Sequence, residues 1–165
     1  MENKQQKKHR AFTLIEFLVV ITIIGLLIVA VSIKRRETIT RKNVEIQALQ
    51  VKQAIELARD YALTGEVISG QVPKDFEFLI DQSGTYTIKG DGISSPIKQG
   101  NFKKDDNNND IEVYLGANQS FEYSVPHAEK SPSGDTQIIL CGDAACSKSS
   151  MKYTITVTKN SVQLN

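Results

Sequence analysis

Residues 12–33, FTLIEFLVVITIIGLLIVAVSI, decide the fold of this chain because they form its one stretch that is long and apolar enough to leave water. Glu16 is the only charged residue among them. About twenty helical residues at roughly 1.5 Å each cover the ~30 Å hydrocarbon core of a bilayer, so the stretch predicts a membrane-spanning helix. An ionised carboxylate costs on the order of 2.5–3.5 kcal/mol at the bilayer centre and less toward an interface. We therefore expect Glu16 to need a partner.

A short basic leader, residues 1–11 with the sequence MENKQQKKHRA, precedes the apolar stretch and contains Glu2 as its only acidic residue. An ordinary secretory signal has its small-residue cleavage site after the apolar run. Here Ile33 is followed directly by the basic cluster 34–36, and the small residue Ala11 stands before the run instead. The leader therefore does not fit an ordinary secretory signal.

The run AFTLIEFLVV behind a basic leader resembles the class III signal of type IV pilins and of type II secretion pseudopilins. The resemblance implies that a prepilin peptidase cuts between Ala11 and Phe12, methylates the new amino terminus of Phe12 and leaves the helix in the membrane. It also implies that Glu16 acts in assembly by pairing with the amino group of Phe12 in the adjacent subunit. The family usually has Gly in place of Ala11, and many members have Pro near Ile33. An uncleaved signal anchor is the alternative.

Apolar residues continue beyond the membrane segment at alternating spacings of four and three, which places them on one face of a helix. They are Val44, Ala48, Val51, Ile55, Ala58 and Ala62. No Pro or Gly occurs between Gly25 and Gly65, so we predict one helix from about Phe12 to Thr64. Its second half, residues 34–64, is amphipathic and packs against the rest of the protein. A coiled-coil seam is the competing interpretation of this short stripe.

Residues 65–165 alternate between apolar and polar side chains with a period of two, which predicts strands. The predicted strands are Phe76–Ile80, Tyr86–Ile88, Ile111–Leu115, Phe121–Val125, Gln137–Leu140, Tyr153–Val157 and Val162–Leu164. Gly, Ser and Asn predict loops at 91–101 and 129–135. The predicted fold class is α+β, in which a long helix packs against a mostly antiparallel β-sheet head, as in the pilin fold.

The chain offers little catalytic chemistry. Its two histidines, His9 and His127, cannot build a His-based triad or a zinc site, so we predict no enzyme activity. Lys plus Arg number 20 and Asp plus Glu number 19, a balance that gives no indication of nucleic-acid binding. Cys141 and Cys146 are spaced unlike a CxxC motif, and in an extracytoplasmic domain they predict a structural disulfide. Two free thiols are the alternative.

One loop, KKDDNNND at residues 103–110, gathers carboxylates and amides of the kind that calcium prefers. An EF-hand needs Gly at its sixth position and Glu at its twelfth, and alignments that start at Asp105 or Asp106 do not provide both. We predict no metal or cofactor and keep Asp105, Asp106 and Asp110 as weak calcium candidates. The alternative is a solvated loop.

Two longer runs, residues 46–66 and 155–165, narrow the resemblance to minor pilins and pseudopilins of the GspH/FimT type, with the ARxxA core at Ala58, Arg59 and Ala62. The resemblance implies a structural minor subunit of a type II secretion pseudopilus. A minor type IV pilin for adhesion, motility or DNA uptake is the alternative within the family. A signal-anchored extracytoplasmic binding domain that does not polymerise is the alternative from another class.

The implied partners are the prepilin peptidase, other pilin or pseudopilin subunits through the amino-terminal helix, and the assembly platform protein of the inner membrane. Basic residues flank the apolar helix on both sides, so the positive-inside rule does not orient it. The resemblance and the cysteines place residues 65–165 outside the cytoplasm. We expect a single-pass protein of the cytoplasmic (inner) membrane that later enters a pseudopilus or pilus.

Overall fold

The computed structural model describes residues 14–104 and 107–165, and within them it has one α-helix, nine strands and a short 3₁₀ helix. Helix α1 is Leu14–Thr64. The strands are β1 Asp75–Ile80, β2 Thr85–Gly90, β3 Lys98–Asn101, β4 Tyr114–Leu115, β5 Gln119–Ser124, β6 Glu129–Ser131, β7 Thr136–Cys141, β8 Lys152–Val157 and β9 Val162–Leu164. The 3₁₀ helix, Ser149–Met151, directly precedes β8.

Helix α1 ends where the sequence predicts, at Thr64. Gly65 follows with φ of +62°, a left-handed conformation that glycine adopts without steric cost. The N–H of Glu66 donates to the carbonyl of Tyr61 at 3.1 Å, which satisfies one of the carbonyls that a helix end leaves unpaired. A glycine cap therefore separates the helix from the strands.

Two compact units divide the chain, and their boundary lies within α1, between Glu37 and Thr38. In the first unit every side chain from residue 14 to 32 is exposed, although nearly all of them are apolar. We call residues 14–32 the exposed stretch. By length and composition, this part of α1 is able to cross a membrane.

The second unit has its own hydrophobic core, and α1 contributes one face of residues 38–64 to it. We call residues 38–64 the packed stretch. All six residues of the predicted apolar stripe are fully buried there, at 0% exposure: Val44, Ala48, Val51, Ile55, Ala58 and Ala62. They belong to the same apolar cluster as side chains from the strands, so core packing is the correct interpretation of the stripe and a coiled-coil seam is not.

The first sheet has five strands in the order β3-β2-β1-β5-β6, and all of its neighbours are antiparallel. Phe78 on the central strand β1 stands opposite Ile88 on β2 and Phe121 on β5. These three side chains are buried, and the rings of Phe78 and Phe121 lie 5.3 Å apart. The alternate residues of β1 therefore build the core, as the period of two predicts.

The turn between β1 and β2 is held by the carboxylate of Asp81. It accepts hydrogen bonds from the N–H of Ser83 at 2.9 Å, from the hydroxyl of Ser83 and from the N–H of Thr85 at 3.3 Å. The Ser83 hydroxyl bond is the main cause that holds the pKa of Asp81 below its usual value. Gly84 completes the turn with φ of +108°.

The second sheet has four strands in the order β4-β7-β8-β9, again with antiparallel neighbours. Ile138 on β7 pairs with Ile155 on β8, and both are fully buried. The protein is thus α+β with antiparallel strands, an arrangement consistent with the pilin fold. The strands form two sheets, however, where the sequence analysis expected one.

One strand prediction and two loop predictions need correction. The strand predicted at Ile111–Leu115 is reduced to the two residues of β4, because the N–H of Val113 bonds the carbonyl of Ile111 at 2.9 Å in a tight local turn. Val113 is still buried, so the pattern identified a core residue and not a strand residue. Strands β3 and β6 lie in segments predicted as loops. They are short edge strands with mostly polar side chains, which carry no alternating apolar pattern.

Candidate functional site

The proposed processing site lies at the amino terminus. The leader, which ends at Ala11, and the residue after the proposed cut, Phe12, are outside the described residues. Glu16 is in the first turn of the described part of α1, and its side chain is exposed on the single chain. Its neighbours along the helix are the apolar residues of the exposed stretch, so insertion into a bilayer would place this carboxylate beside hydrocarbon.

Two hydroxyl side chains within the exposed stretch donate hydrogen bonds to the helix itself. The hydroxyl of Thr22 donates to the carbonyl of Val19 at 2.7 Å, and the hydroxyl of Ser32 donates to the carbonyl of Ile28 at 2.8 Å. A hydroxyl that is satisfied within its own helix does not need water or a neighbouring protein group. These two side chains are therefore compatible with lipid.

Cys141 and Cys146 are joined by a disulfide, so the alternative of two free thiols is wrong. Cys141 ends β7, and Cys146 lies five residues later in a short loop. Within this loop Asp143 accepts hydrogen bonds from the N–H of Ser147 at 2.8 Å and from its hydroxyl at 2.7 Å. Those bonds from Ser147 hold the pKa of Asp143 below its usual value. The disulfide and the carboxylate together fix the loop.

The disulfide loop also packs against α1 within the second unit. The N–H of Gly142 donates to the carbonyl of Met151 at 2.9 Å. A Cβ at Gly142 would lie 2.8 Å from Cγ2 of Thr40 and 3.0 Å from Sδ of Met151, so only glycine fits without a shift. The loop is thus a packing element of the head, and its chemistry is structural.

The weak calcium candidates are only partly described. Asp105 and Asp106 lie outside the described residues. Asp110 forms an ion pair with Lys104, in which Oδ1 and Nζ are 2.7 Å apart. Across residues 14–104 and 107–165, no group of three or more His, Cys, Asp or Glu side chains could hold a metal ion. Asp110 is therefore engaged by a lysine, and the expectation of no metal stays a prediction, with calcium as its weak alternative.

A cavity of about 390 Å³ lies against β1, β2 and β5 of the first sheet and is lined mainly by acidic side chains. Glu77 on β1 stands opposite Lys89 on β2 and Glu122 on β5, and Asp75 and Asp91 complete the acidic lining. Four carboxylates and one ammonium give this surface a negative charge, which is unfavourable for a nucleic-acid backbone.

The sequence analysis did not single out Lys130, although this lysine is buried at 4% exposure. Its Nζ donates to the carbonyl of Pro132 at 2.9 Å and to the carbonyl of Gly134, and it lies 5.5 Å from the centre of the Phe121 ring. Burial lowers the pKa of Lys130. Lys130 lies on β6, in a segment whose Ser, Pro and Gly residues predict a loop with solvent-facing lysines, so no sequence signal distinguishes this one.

Comparisons with known proteins agree with the amino-terminal pattern. Residues 6–32 match the family model described as the prokaryotic N-terminal methylation motif. Two curated relatives, both fimbrial proteins of Pseudomonas aeruginosa, are each 30% identical over 90 residues, which is 53% of this chain and 58% of the relative. The chain thus spans less than two thirds of the relatives it matches. No solved structure matches the chain.

Proposed function

We propose that this chain, a type IV pilin-like protein with a prokaryotic N-terminal methylation motif, is a structural subunit of a filament that is assembled from the membrane. The observation that carries the proposal is the motif at residues 6–32, because it includes both the leader and the start of α1. The same helix continues into the packed stretch of a separate α+β unit. Such a subunit works by assembly and not by catalysis.

Processing provides the first step of the proposal. A prepilin peptidase cuts between Ala11 and Phe12 and methylates Phe12. Glu16 is then the fifth residue of the mature chain, since 16 − 12 + 1 = 5. Before assembly, the exposed stretch anchors the subunit in the inner membrane in a single pass, with the second unit outside the cytoplasm. An assembly platform protein of that membrane then adds the subunit to the filament.

Glu16 provides the specificity of assembly. An ionised carboxylate in hydrocarbon needs a counter-charge or a hydrogen-bond donor. The amino group of Phe12 in the adjacent subunit supplies a charge of opposite sign at the same depth. A slipped neighbour leaves the carboxylate without that partner, and the loss of one member of a buried pair costs roughly 3–5 kcal/mol. The pair therefore favours a single register.

The relatives favour a pilus as the assembled structure, because both are fimbrial proteins. A minor subunit of a type II secretion pseudopilus is the second candidate. It is favoured by the resemblance of residues 46–66 and 155–165 to pseudopilins of the GspH/FimT type. Both candidates use the same anchor, the same processing step and the same role for Glu16.

Co-expression of the full-length chain with a prepilin peptidase tests the proposal. We expect the intact mass of the membrane-extracted protein to correspond to residues 12–165 with one methyl group, and the same strain without the peptidase to yield the uncleaved chain. Sheared filaments of a host with an assembly platform should contain the processed form. A chain that stays uncleaved beside an active peptidase would support the plain signal anchor and contradict the proposal.

A further inference from the structure

We propose that the basic cluster, residues 34–36, binds the phosphate groups of anionic phospholipids in the leaflet where the exposed stretch ends. The inference deepens the proposed function, on which it rests for the membrane anchor, because it names the lipid that the anchored subunit contacts. The cluster consists of Lys34, Arg35 and Arg36, and it begins directly after the apolar segment ends at Ile33.

The length of α1 sets the depth of the basic cluster in a bilayer. Residues 14–33 number 33 − 14 + 1 = 20, and at about 1.5 Å per residue they cover the ~30 Å hydrocarbon core. The two headgroup layers bring the bilayer to about 40–45 Å, so each layer is roughly 5–8 Å thick. Arg36 is three residues beyond Ile33, which is about 4.5 Å of helix. The whole cluster therefore lies within the headgroup layer when the exposed stretch spans the membrane.

Helix geometry directs the side chains of Arg35 and Arg36 toward the lipid phosphates. In an α-helix the Cα–Cβ bond is tilted toward the amino terminus, which here is the membrane side. Both arginines are exposed on the chain. The long arginine stem lies against apolar surface while the guanidinium stays in the polar layer. Because successive residues are about 100° apart around a helix, the two arginines reach different lipids.

The charge of the cluster matches an anionic phosphate ligand. Three adjacent cations are followed by one anion, Glu37, and the nearest acidic residue before them is Glu16. The planar guanidinium of arginine binds two phosphate oxygens at once. Each Lys or Arg beside an anionic membrane surface strengthens binding by about fivefold. The cluster therefore favours lipids with a net negative headgroup over zwitterionic lipids.

The proposed orientation gives the cluster a cost that lipid binding offsets. It places residues 34–36 outside the cytoplasm, where the positive-inside rule disfavours Lys and Arg. Phosphate groups of the leaflet compensate for these charges. The occupant is a lipid and not a nucleic acid, because the cluster lies within the headgroup layer and the sheet surface at Glu77 and Glu122 is acidic.

Competition between two lipids tests the inference. The full-length protein in nonionic detergent micelles receives equimolar phosphatidylglycerol, which is anionic, and phosphatidylcholine, which is zwitterionic. Native mass spectrometry then counts the lipids of each kind that are bound per chain. The test variant combines Arg35→Gln with Arg36→Gln.

The matched control combines Arg41→Gln with Lys42→Gln. It removes the same charge from two exposed, adjacent residues of the same helix. These residues are eight and nine positions beyond Ile33, or about 12–14 Å along the helix, and so outside the headgroup layer. The comparison of the two variants therefore reports depth and not total charge.

We expect the wild type to bind phosphatidylglycerol at least about tenfold more than phosphatidylcholine. The test variant should reduce this preference by about tenfold, since two cations are removed, whereas the control should stay within about threefold of the wild type. A wild type without a preference, or an equal loss in the test variant and the control, would overturn the inference.

Salt provides an independent readout in the wild type. The Debye length falls from about 10 Å at 0.1 M salt to about 3 Å at 1 M, so an ionic preference should weaken severalfold. A preference that is unchanged at 1 M salt would contradict lipid phosphate as the ligand. Loss of bound phosphatidylglycerol to a short DNA oligonucleotide at equal phosphate concentration would contradict the choice of a lipid.

The outcome is separate from that of the proposed function. The leader, where it is present, is common to both variants, so their difference does not depend on processing. A chain that is not cut or does not enter filaments contradicts the proposed function and leaves the lipid preference in place. A chain that is cut and assembled but has no lipid preference contradicts only this inference.

Discussion

The exposed stretch and the packed stretch are parts of one helix, but the surroundings of their apolar side chains differ. In residues 14–32 apolar side chains surround the helix on all sides, and none of them is buried within the chain. In residues 38–64 the stripe from Val44 to Ala62 is fully buried, and the opposite face mixes exposed polar and apolar residues. An apolar surface on all sides requires a partner outside the chain, such as lipid or other subunits, whereas a single apolar face is satisfied by the protein's own head.

A truncation in the core should produce the largest difference between the two stretches. Ile55→Ala removes a fully buried side chain and should lower the free energy of unfolding of the second unit by about 2–5 kcal/mol. Ile24→Ala, in the exposed stretch, is the matched control and should leave it unchanged. Thermal unfolding of both full-length variants in detergent is the measurement, and equal losses would contradict the division of α1.

Loss of the disulfide should lower the free energy of unfolding less than truncation of a core side chain. Replacing Cys141 and Cys146 by Ser should lower the free energy of unfolding by about 2 kcal/mol, because the stabilisation falls as the closed loop becomes shorter. Membrane insertion should not change, since the loop packs near Thr40 in the second unit. In the wild type, thiol labelling should appear only after reduction. Labelling of both thiols in the unreduced, exported protein would contradict the bridge.

Replacement of the buried Lys130 should lower the free energy of unfolding by less than loss of the disulfide. Lys130→Met keeps the apolar stem and removes the donor for the carbonyls of Pro132 and Gly134, so the free energy of unfolding should fall by about 1 kcal/mol. Lys159→Met is the control. Lys159 binds Glu129 at the surface, where both side chains are more than 60% exposed, and such pairs contribute about 0–1 kcal/mol. A greater loss in the control would contradict the role assigned to Lys130.

The smallest expected effect is the acid dependence of the turn at Asp81. Its folded-state pKa is lowered by the hydrogen bond from Ser83, so its stabilising contribution is complete above the unfolded pKa and is lost as the pH falls through the folded value. Asp81→Asn should therefore differ in stability from the wild type at neutral pH and converge with it at strongly acidic pH. Unfolding of both proteins across that range is the measurement, and a constant difference would contradict the assignment.

The sequence predicted those parts of the fold in which hydrophobic burial alone sets the structure. The packed stretch and the β1–β2 and β8–β9 hairpins follow from apolar spacing, and the disulfide from compartment and cysteine spacing. Lys98–Asn101 and Glu129–Ser131 were not predictable in this way, because edge strands are held by backbone hydrogen bonds to a neighbour. The burial of Lys130 depends on loop carbonyls brought together by the fold.

The candidate site likewise has a part that a local sequence pattern predicts and a part that only the folded structure reveals. The roles of Ala11, Phe12 and Glu16 are predicted from a local motif, which needs no tertiary structure, and they stay predictions. The exposure of Ile39, Ile46 and Leu49 was not predicted, because these residues differ from core residues only in the side of the helix that they occupy. Only the buried stripe shows which side remains free.

Incorporation of Glu16→Gln into filaments tests the central claim most directly. Glutamine keeps the shape of the side chain and removes the charge, so the variant should insert into the membrane and be cut after Ala11 like the wild type. We predict that its recovery in sheared filaments, relative to the processed protein in the membrane, is far below that of the wild type, because the pair with Phe12 of the adjacent subunit is lost. Normal recovery of the processed variant would contradict a role of Glu16 in assembly.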